Sequence, residues 1–197
     1  NLFYHVLPKE EPHAQLLSFL GGHEGESGIV YRSTRRKVEE TAAFLQKKGV
    51  KAEAYHAGLP DAERMRVQEA FRRDECPVVV ATVAFGMGID KPDVRFVAHL
   101  DLPKNVEGYY QETGRAGRDG DPAHCLLLYS AADMAQLREI HGSAAYPVQM
   151  HYIGFFHLGR VKSHAQHIQG ERQVFSSFRQ QNVKSMGQMA AQGVRSP

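Results

Sequence analysis

Two spacings of apolar residues alternate over residues 1–144. Short apolar runs predict buried strands at Leu2 to Leu7, at Ile29-Val30-Tyr31 after Gly28, at Ala52 to Tyr55, at Val78 to Ala81, at Arg95 to Leu100 and at Cys125 to Tyr129. Between them the period lengthens to that of a helix. Ser33 or Thr34 can cap a helix from about Arg35 to Lys48, with Val38, Ala42, Phe44 and Leu45 as its core stripe and Gly49 as its stop. After the turn His56-Ala57-Gly58-Leu59, Pro60 stands where a helix starts, with Met65, Val67, Ala70 and Phe71 following on it, and Pro77 breaks it. Glu107 to Gly117 and Ala131 to His141 predict two more helices.

Parallel strands joined by helices need crossover connections. Strands apolar on both faces belong to a sheet covered on both sides. The predicted fold class is therefore α/β: a three-layer α/β/α sandwich with a mostly parallel sheet over residues 1–142. Residues 143–197 are rich in Gln, His, Ser and Gly, and two readings of them stay open: a partly disordered tail, or a small helical appendage. A start inside an apparent strand predicts that the chain is a piece of a longer protein.

The 197 residues are 42% apolar and 23% charged, as expected of a soluble globular domain. No run approaches the roughly 20 apolar residues of a membrane helix. The formal charge of +2 hides an asymmetry. From Ala145 onward six Lys or Arg stand against one acid, leaving 18 basic and 21 acidic groups in the remainder. Any nucleic-acid contact on the body must then be local, while the tail could add attraction of no sequence preference. Cys76 and Cys125 form no CxxC pair, which excludes a zinc ribbon and favours two free thiols.

Three segments carry candidate chemistry. Tyr31-Arg32-Ser33-Thr34-Arg35-Arg36 joins a strand to a helix start, where hydroxyls, arginines and free backbone N–H groups suit a phosphate. Taken alone, these residues read first as an ordinary cap with a solvated basic turn, because Ser and Thr caps are common. Ala81 to Asp90 ends a strand in a loop with Gly86 and Gly88 around Met87; Thr82 can donate to a phosphate and Asp90 can accept from a ribose hydroxyl, or the loop is a plain tight turn. In Tyr109 to Gly120, a helix would put Gln111, Arg115 and Arg118 on one face. Gly114 and Gly117 weaken such a helix by about 1 kcal/mol each, a cost explained if a ligand must come close. The other reading pairs these arginines with Glu107, Glu112 or Asp119 on a plain surface.

These segments, with Tyr55-His56-Ala57-Gly58-Leu59, closely resemble motifs IV, V and VI of the RecQ family of helicases within superfamily 2, over about residues 1–140. The form AFGMGIDKPDVR, residues 84–95, separates that family from the DEAD-box group. The resemblance implies the second RecA-like motor lobe of an ATP-dependent DNA helicase that uses Mg²⁺, moves 3′ to 5′, and acts in repair and recombination. It implies an arginine finger at Arg118, a phosphate-sensing partner at Arg115, and Gln111 lining the same cleft. Gly88 and Asp90 match positions near the nucleotide, and Ser33, Arg35 and Thr82 match positions that hold the DNA backbone. The expected partners are single-stranded and duplex DNA and the first RecA-like lobe, with no membrane. The expected location is the nucleoid of a bacterium or the nucleus of a eukaryote.

No GxxxxGK[ST] loop and no Asp-Glu-x-His box occurs in the chain. The first lobe, which would hold most of the ATP and Mg²⁺ contacts, is thus expected on another part of the protein, and the isolated lobe is expected to lack ATPase activity. Arg32 stands where relatives often carry Cys, and no cysteine follows Cys125 to form the family's usual zinc module. A second function class, a non-catalytic nucleic-acid-binding module that keeps the fold, would show as salt-dependent DNA binding without ATPase in the whole protein.

Overall fold

The computed structural model describes residues 1–85, 90–104, 106–133 and 135. Six strands, β1 (Leu2–Pro8), β2 (Gly28–Tyr31), β3 (Ala52–Tyr55), β4 (Val78–Ala81), β5 (Phe96–His99) and β6 (Ala123–Tyr129), form one sheet in the order β1-β6-β5-β2-β4-β3. Every neighbouring pair runs parallel. The helices α1 (Pro12–Leu20), α2 (Arg35–Lys47), α3 (Asp61–Arg72) and α4 (Val106–Thr113) supply crossovers. The central strands β2, β4 and β5 are buried at every position, so their side chains alternate between two apolar layers. Val30, Val80, Phe96 and Ala98 face α1 and α2, where they meet Leu16, Leu20, Val38, Ala42 and Leu45. Ile29, Tyr31, Val79, Ala81 and Val97 face the other way, toward Val67 and Phe71 of α3 and toward Phe85, Val94 and Ala116. The three-layer α/β class expected from the sequence is what the residues build.

Local expectations fare unevenly. Thr34 caps α2, its side chain accepting from the Lys37 N–H at 3.3 Å, and Gly49 ends the turn beyond it at φ 82°. The helix α1 has no counterpart in the sequence reading, although Pro12 opens it and Leu16 and Leu20 anchor it. Of the apolar residues expected along α3, Val67, Ala70 and Phe71 are buried and Met65 is 64% exposed. The helix expected from Glu107 to Gly117 ends at Thr113. Gly114 and then Gly117, at φ 61°, carry the chain into turns instead. Beyond residue 135 the last expected helix lies outside the described residues, as do Gly88 and the whole of 143–197.

Candidate nucleic-acid and nucleotide interface

The carboxyl ends of β5, β2 and β4 lie side by side, and each delivers polar residues to one edge. The ladder continues past the strands: the Leu100 N–H donates to Tyr31 and the Arg32 N–H to Ala81. This sets Asp101, Arg32-Ser33 and Thr82 next to one another. Open parallel sheets bind ligands at this edge, beyond the carboxyl ends of their strands. Asp101 is the anchor there, 7% exposed. It accepts from the Ser33 N–H at 2.9 Å and from the Ser33 hydroxyl at 3.1 Å. Lys37 Nζ stands at 3.1 Å, Lys9 Nζ at 3.2 Å and Arg32 Nε at 3.5 Å. Burial alone would raise its carboxyl, but Arg32, the Ser33 N–H, Lys9 and Lys37 outweigh that and hold it at about 2.

Arg35 projects from the first turn of α2 and is exposed. Its guanidinium lies over Gly58, where a Cβ would come within 2.8 Å of Nη1. The Gly58 N–H donates to His56 Nδ1 at 3.2 Å, and His56 Nε2 stands 3.0 Å from Glu39 on α2. The His56–Leu59 turn is therefore tied to the helix that carries Arg35. Thr82 is half-buried in a turn closed by the Phe85 N–H donating to the Thr82 carbonyl at 3.0 Å.

Phe85 and Ala116, one from each of the other two segments, pack in one apolar layer with Val67 and Phe71 of α3. Gln111 is exposed on α4. Arg115 and Arg118 follow the end of that helix, so the turns after Thr113, rather than a shared helical face, set their directions. Gly117 serves the lobe itself: at φ 61° its missing Cβ leaves room for Asn1 Nδ2 and the Asp121 carbonyl, 2.4 and 2.8 Å from where that atom would stand. The close approach expected of a ligand at this glycine is made by the protein's own chain. Of the acids that could have paired Arg118, Asp119 is bound to Arg95 at 2.6 Å and Glu112 to His99 at 2.7 Å. Arg118 keeps a bond from Nε to the Gly114 carbonyl at 3.2 Å and a contact of 3.7 Å to Asp90. Its side chain is 41% exposed and that of Asp90 94% exposed, and so open a pair is held weakly.

A buried tyrosine links the segments. The Tyr31 hydroxyl donates to the Phe85 carbonyl at 3.0 Å and its ring stacks on His99 at 5.0 Å. Burial pushes its phenol up, and the neighbouring Arg115 guanidinium, hydrogen-bonded to it, pulls the other way.

Residues 11–120, more than half of the chain, match the helicase conserved C-terminal domain. The ATP-dependent DNA helicase RecQ of Pasteurella multocida is 55% identical over 140 residues, covering 71% of this chain and 22% of that protein. This chain belongs to the helicase C-terminal domain family, in its RecQ form. The RecQ-like DNA helicase BLM of Xenopus laevis is 51% identical over 144 residues, again 71% of this chain but 11% of that protein. The RecQ lobe thus spans between about a tenth and a quarter of these relatives' lengths. Among solved structures, a DEAD box protein of Methanococcus jannaschii superposes with a TM-score of 0.60 at 30% identity, covering 70% of this chain and 38% of that one. The E. coli DEAD-box protein SrmB, at 24% identity and a TM-score of 0.59, shares the fold over 71% of this chain and 84% of its own.

Sequence reasoning passed over Asp101, His56 and Tyr31 in this RecQ lobe. An acid directly after a buried strand was the available signal for Asp101, since it must sit at the carboxyl edge. Nothing local marks Tyr31, whose partners lie 54 and 84 positions away. Both cysteines are buried and free, as expected. Among the described residues no group of three or more His, Cys, Asp or Glu could hold a metal, and no helix is long and apolar enough to cross a membrane.

Proposed function

We propose that this RecQ lobe is the second motor lobe of an ATP-dependent DNA helicase with 3′–5′ polarity that serves repair and recombination. ATP and Mg²⁺ sit mainly on the first lobe. Arg118 reaches across the cleft toward the γ-phosphate as an arginine finger, Arg115 senses the same group from beside Tyr31, and Gln111, Gly88 and Asp90 line the nucleotide. Ser33, Arg35 and Thr82 form the DNA-backbone contact at the carboxyl edge, Ser33 and Arg35 on the turn after β2 and Thr82 on the turn after β4. Single-stranded and duplex DNA are the substrates.

The observation that carries this reading is the state of Arg118. Its two local ties are a single carbonyl bond and a 3.7 Å contact to an open carboxylate, so an anion of higher charge can displace Asp90 at little cost. A bound nucleotide supplies a phosphoryl group whose charge spreads during transfer, and the planar fork of a guanidinium matches it. The separation of the two groups of residues also fits a motor. The strand grip lies at the carboxyl edge, the phosphate contacts lie past α4, and Tyr31 joins them through buried bonds. A grip on the backbone alone tolerates any base sequence.

The test joins this lobe to its natural first lobe and replaces Arg118 with Ala. DNA-stimulated ATP turnover is expected to fall on the order of 10³-fold while ATP still binds. Turnover equal to that of the parent would remove Arg118 from the reaction and the reading with it.

A further inference from the structure

We infer that Asp101 is a positioning residue, which presets the Ser33-Thr34-Arg35 turn for a backbone phosphate before the strand arrives. The inference rests on the proposed reading of that turn as a DNA contact. It concerns a residue that would touch neither DNA nor nucleotide.

A carboxylate beside a phosphate site is unexpected, because it repels the ligand. The surroundings of Asp101 show what it does instead. Two of its three cations cannot serve a strand: the side chains of Lys9 and Arg32 are 14% and 9% exposed. Lys9 is also held by Asp133 at 2.7 Å, and an Arg32 nitrogen by the Leu100 carbonyl at 3.4 Å. These cations fix the carboxylate rather than wait for an anion. The carboxylate in turn fixes residue 33 twice, through its N–H and its hydroxyl. A serine hydroxyl has one proton, and here that proton points at Asp101. Ser33 then has none to offer a phosphate, and the oxygen is already used as an acceptor by Lys37 Nζ at 3.3 Å. The contribution of Ser33 is the shape of the turn, from which Arg35 projects two residues later. On the opposite flank Gly58 and His56 limit where the Arg35 guanidinium can lie. A donor held in place loses less freedom on binding, and that difference appears as affinity.

Charge and position predict opposite results. If Asp101 only neutralises its neighbours, Asp101→Asn frees positive charge, and DNA binds more tightly with a steeper salt dependence. If it positions the turn, the same variant binds more weakly although the lobe has become more positive. The experiment uses the two-lobe protein and measures oligo(dT) affinity by anisotropy across a salt series, with ATP turnover at saturating DNA. For D101N we expect Kd to rise about tenfold and the slope of log Kd against log salt to fall by about one phosphate contact. Turnover at saturating DNA stays within about twofold of the parent. Combining D101N with Arg35→Ala adds little to Arg35→Ala alone, because both act through one contact. Tighter binding by D101N, or fully additive losses with Arg35→Ala, overturns the inference. Should D101N not fold, Ser33→Ala carries the same cycle: its exposed site leaves the carboxylate and its ion pairs to Lys9, Arg32 and Lys37 in place. Weaker binding that does not add to Arg35→Ala is then expected, and an unchanged Kd or additive losses overturns the inference. An Arg35→Ala variant that binds like the parent would instead fail the reading of the turn as a DNA contact.

Discussion

Single residues in this lobe are valued by what reaches them from far along the chain. Gly117 invites a local explanation, as a helix breaker or a place for a ligand. Its neighbours show that Asn1 and Asp121 occupy the space a side chain would take, at a backbone φ of 61°. Gly117→Ala should therefore cost about 2–3 kcal/mol, combining the left-handed backbone penalty with displaced main chain. Urea denaturation of the lobe reads this directly, and a loss under about 0.5 kcal/mol would mean that Asn1 and Asp121 can move aside freely. Arg118 teaches the converse lesson. Its neighbour Asp119 looks like a partner in sequence, but Arg95, 24 positions away, has taken it.

At the scale of elements, starts were easier to place than ends. The start of α2 is written locally: Thr34 has extended backbone angles and its side chain accepts from the Lys37 N–H, the ordinary way to satisfy an open helix start. Thr34→Ala is expected to lower stability by about 1 kcal/mol, with Thr34→Ser close to the parent; equal melting temperatures for all three would show that the bond contributes nothing. The end of α4 is different. Glu107 to Gly117 has the composition of a continuing helix, yet the chain leaves it after Thr113. The Thr113 hydroxyl turns back to the Tyr109 carbonyl at 2.9 Å, and the Gly117 N–H donates to the Val94 carbonyl at 2.9 Å rather than up the helix. A tertiary hydrogen bond to the lead-in of β5 outcompetes another helical turn, and the chain then carries Arg115 to Tyr31 and Arg118 to Asp90.

For the whole molecule, buried titrating groups set how stability varies with pH. The Asp101 carboxyl sits at about 2, below its ordinary 3.8, so it stabilises the fold fully above about pH 4 and ceases to as pH falls toward 2. That difference corresponds to about 2 kcal/mol. His124 shifts the other way for a base: burial first, then His23 and His5, lower its affinity for a proton below the ordinary 6.5. The unfolded chain then binds that proton more readily, so stability is complete above about pH 6.5 and declines as pH falls below it. Unfolding free energy should thus drop in two steps, one just below pH 6.5 and one below pH 4. His124→Asn is expected to shrink the first step, to which half-buried His13 also contributes, and Asp101→Asn the second, in denaturant titrations across pH. A curve with both steps unchanged in the variants would assign the pH dependence to other groups.

The alternation of apolar runs and helical stripes was enough to determine the α/β class, the strands and the core of α2, because burial of one face is a property of nearest neighbours along the chain. The motif residues at the ends of those elements were legible for the same reason: Ser33, Arg35 and Thr82 follow strands, and the ends of parallel strands share an edge. The tertiary structure alone decided that Ser33 is held by Asp101, that Tyr31 reaches both Phe85 and Arg115, and that Arg118 is left open while Asp119 is bound. Those pairings join residues 24 to 84 positions apart. The order β1-β6-β5-β2-β4-β3 creates them, and no local spacing records that order.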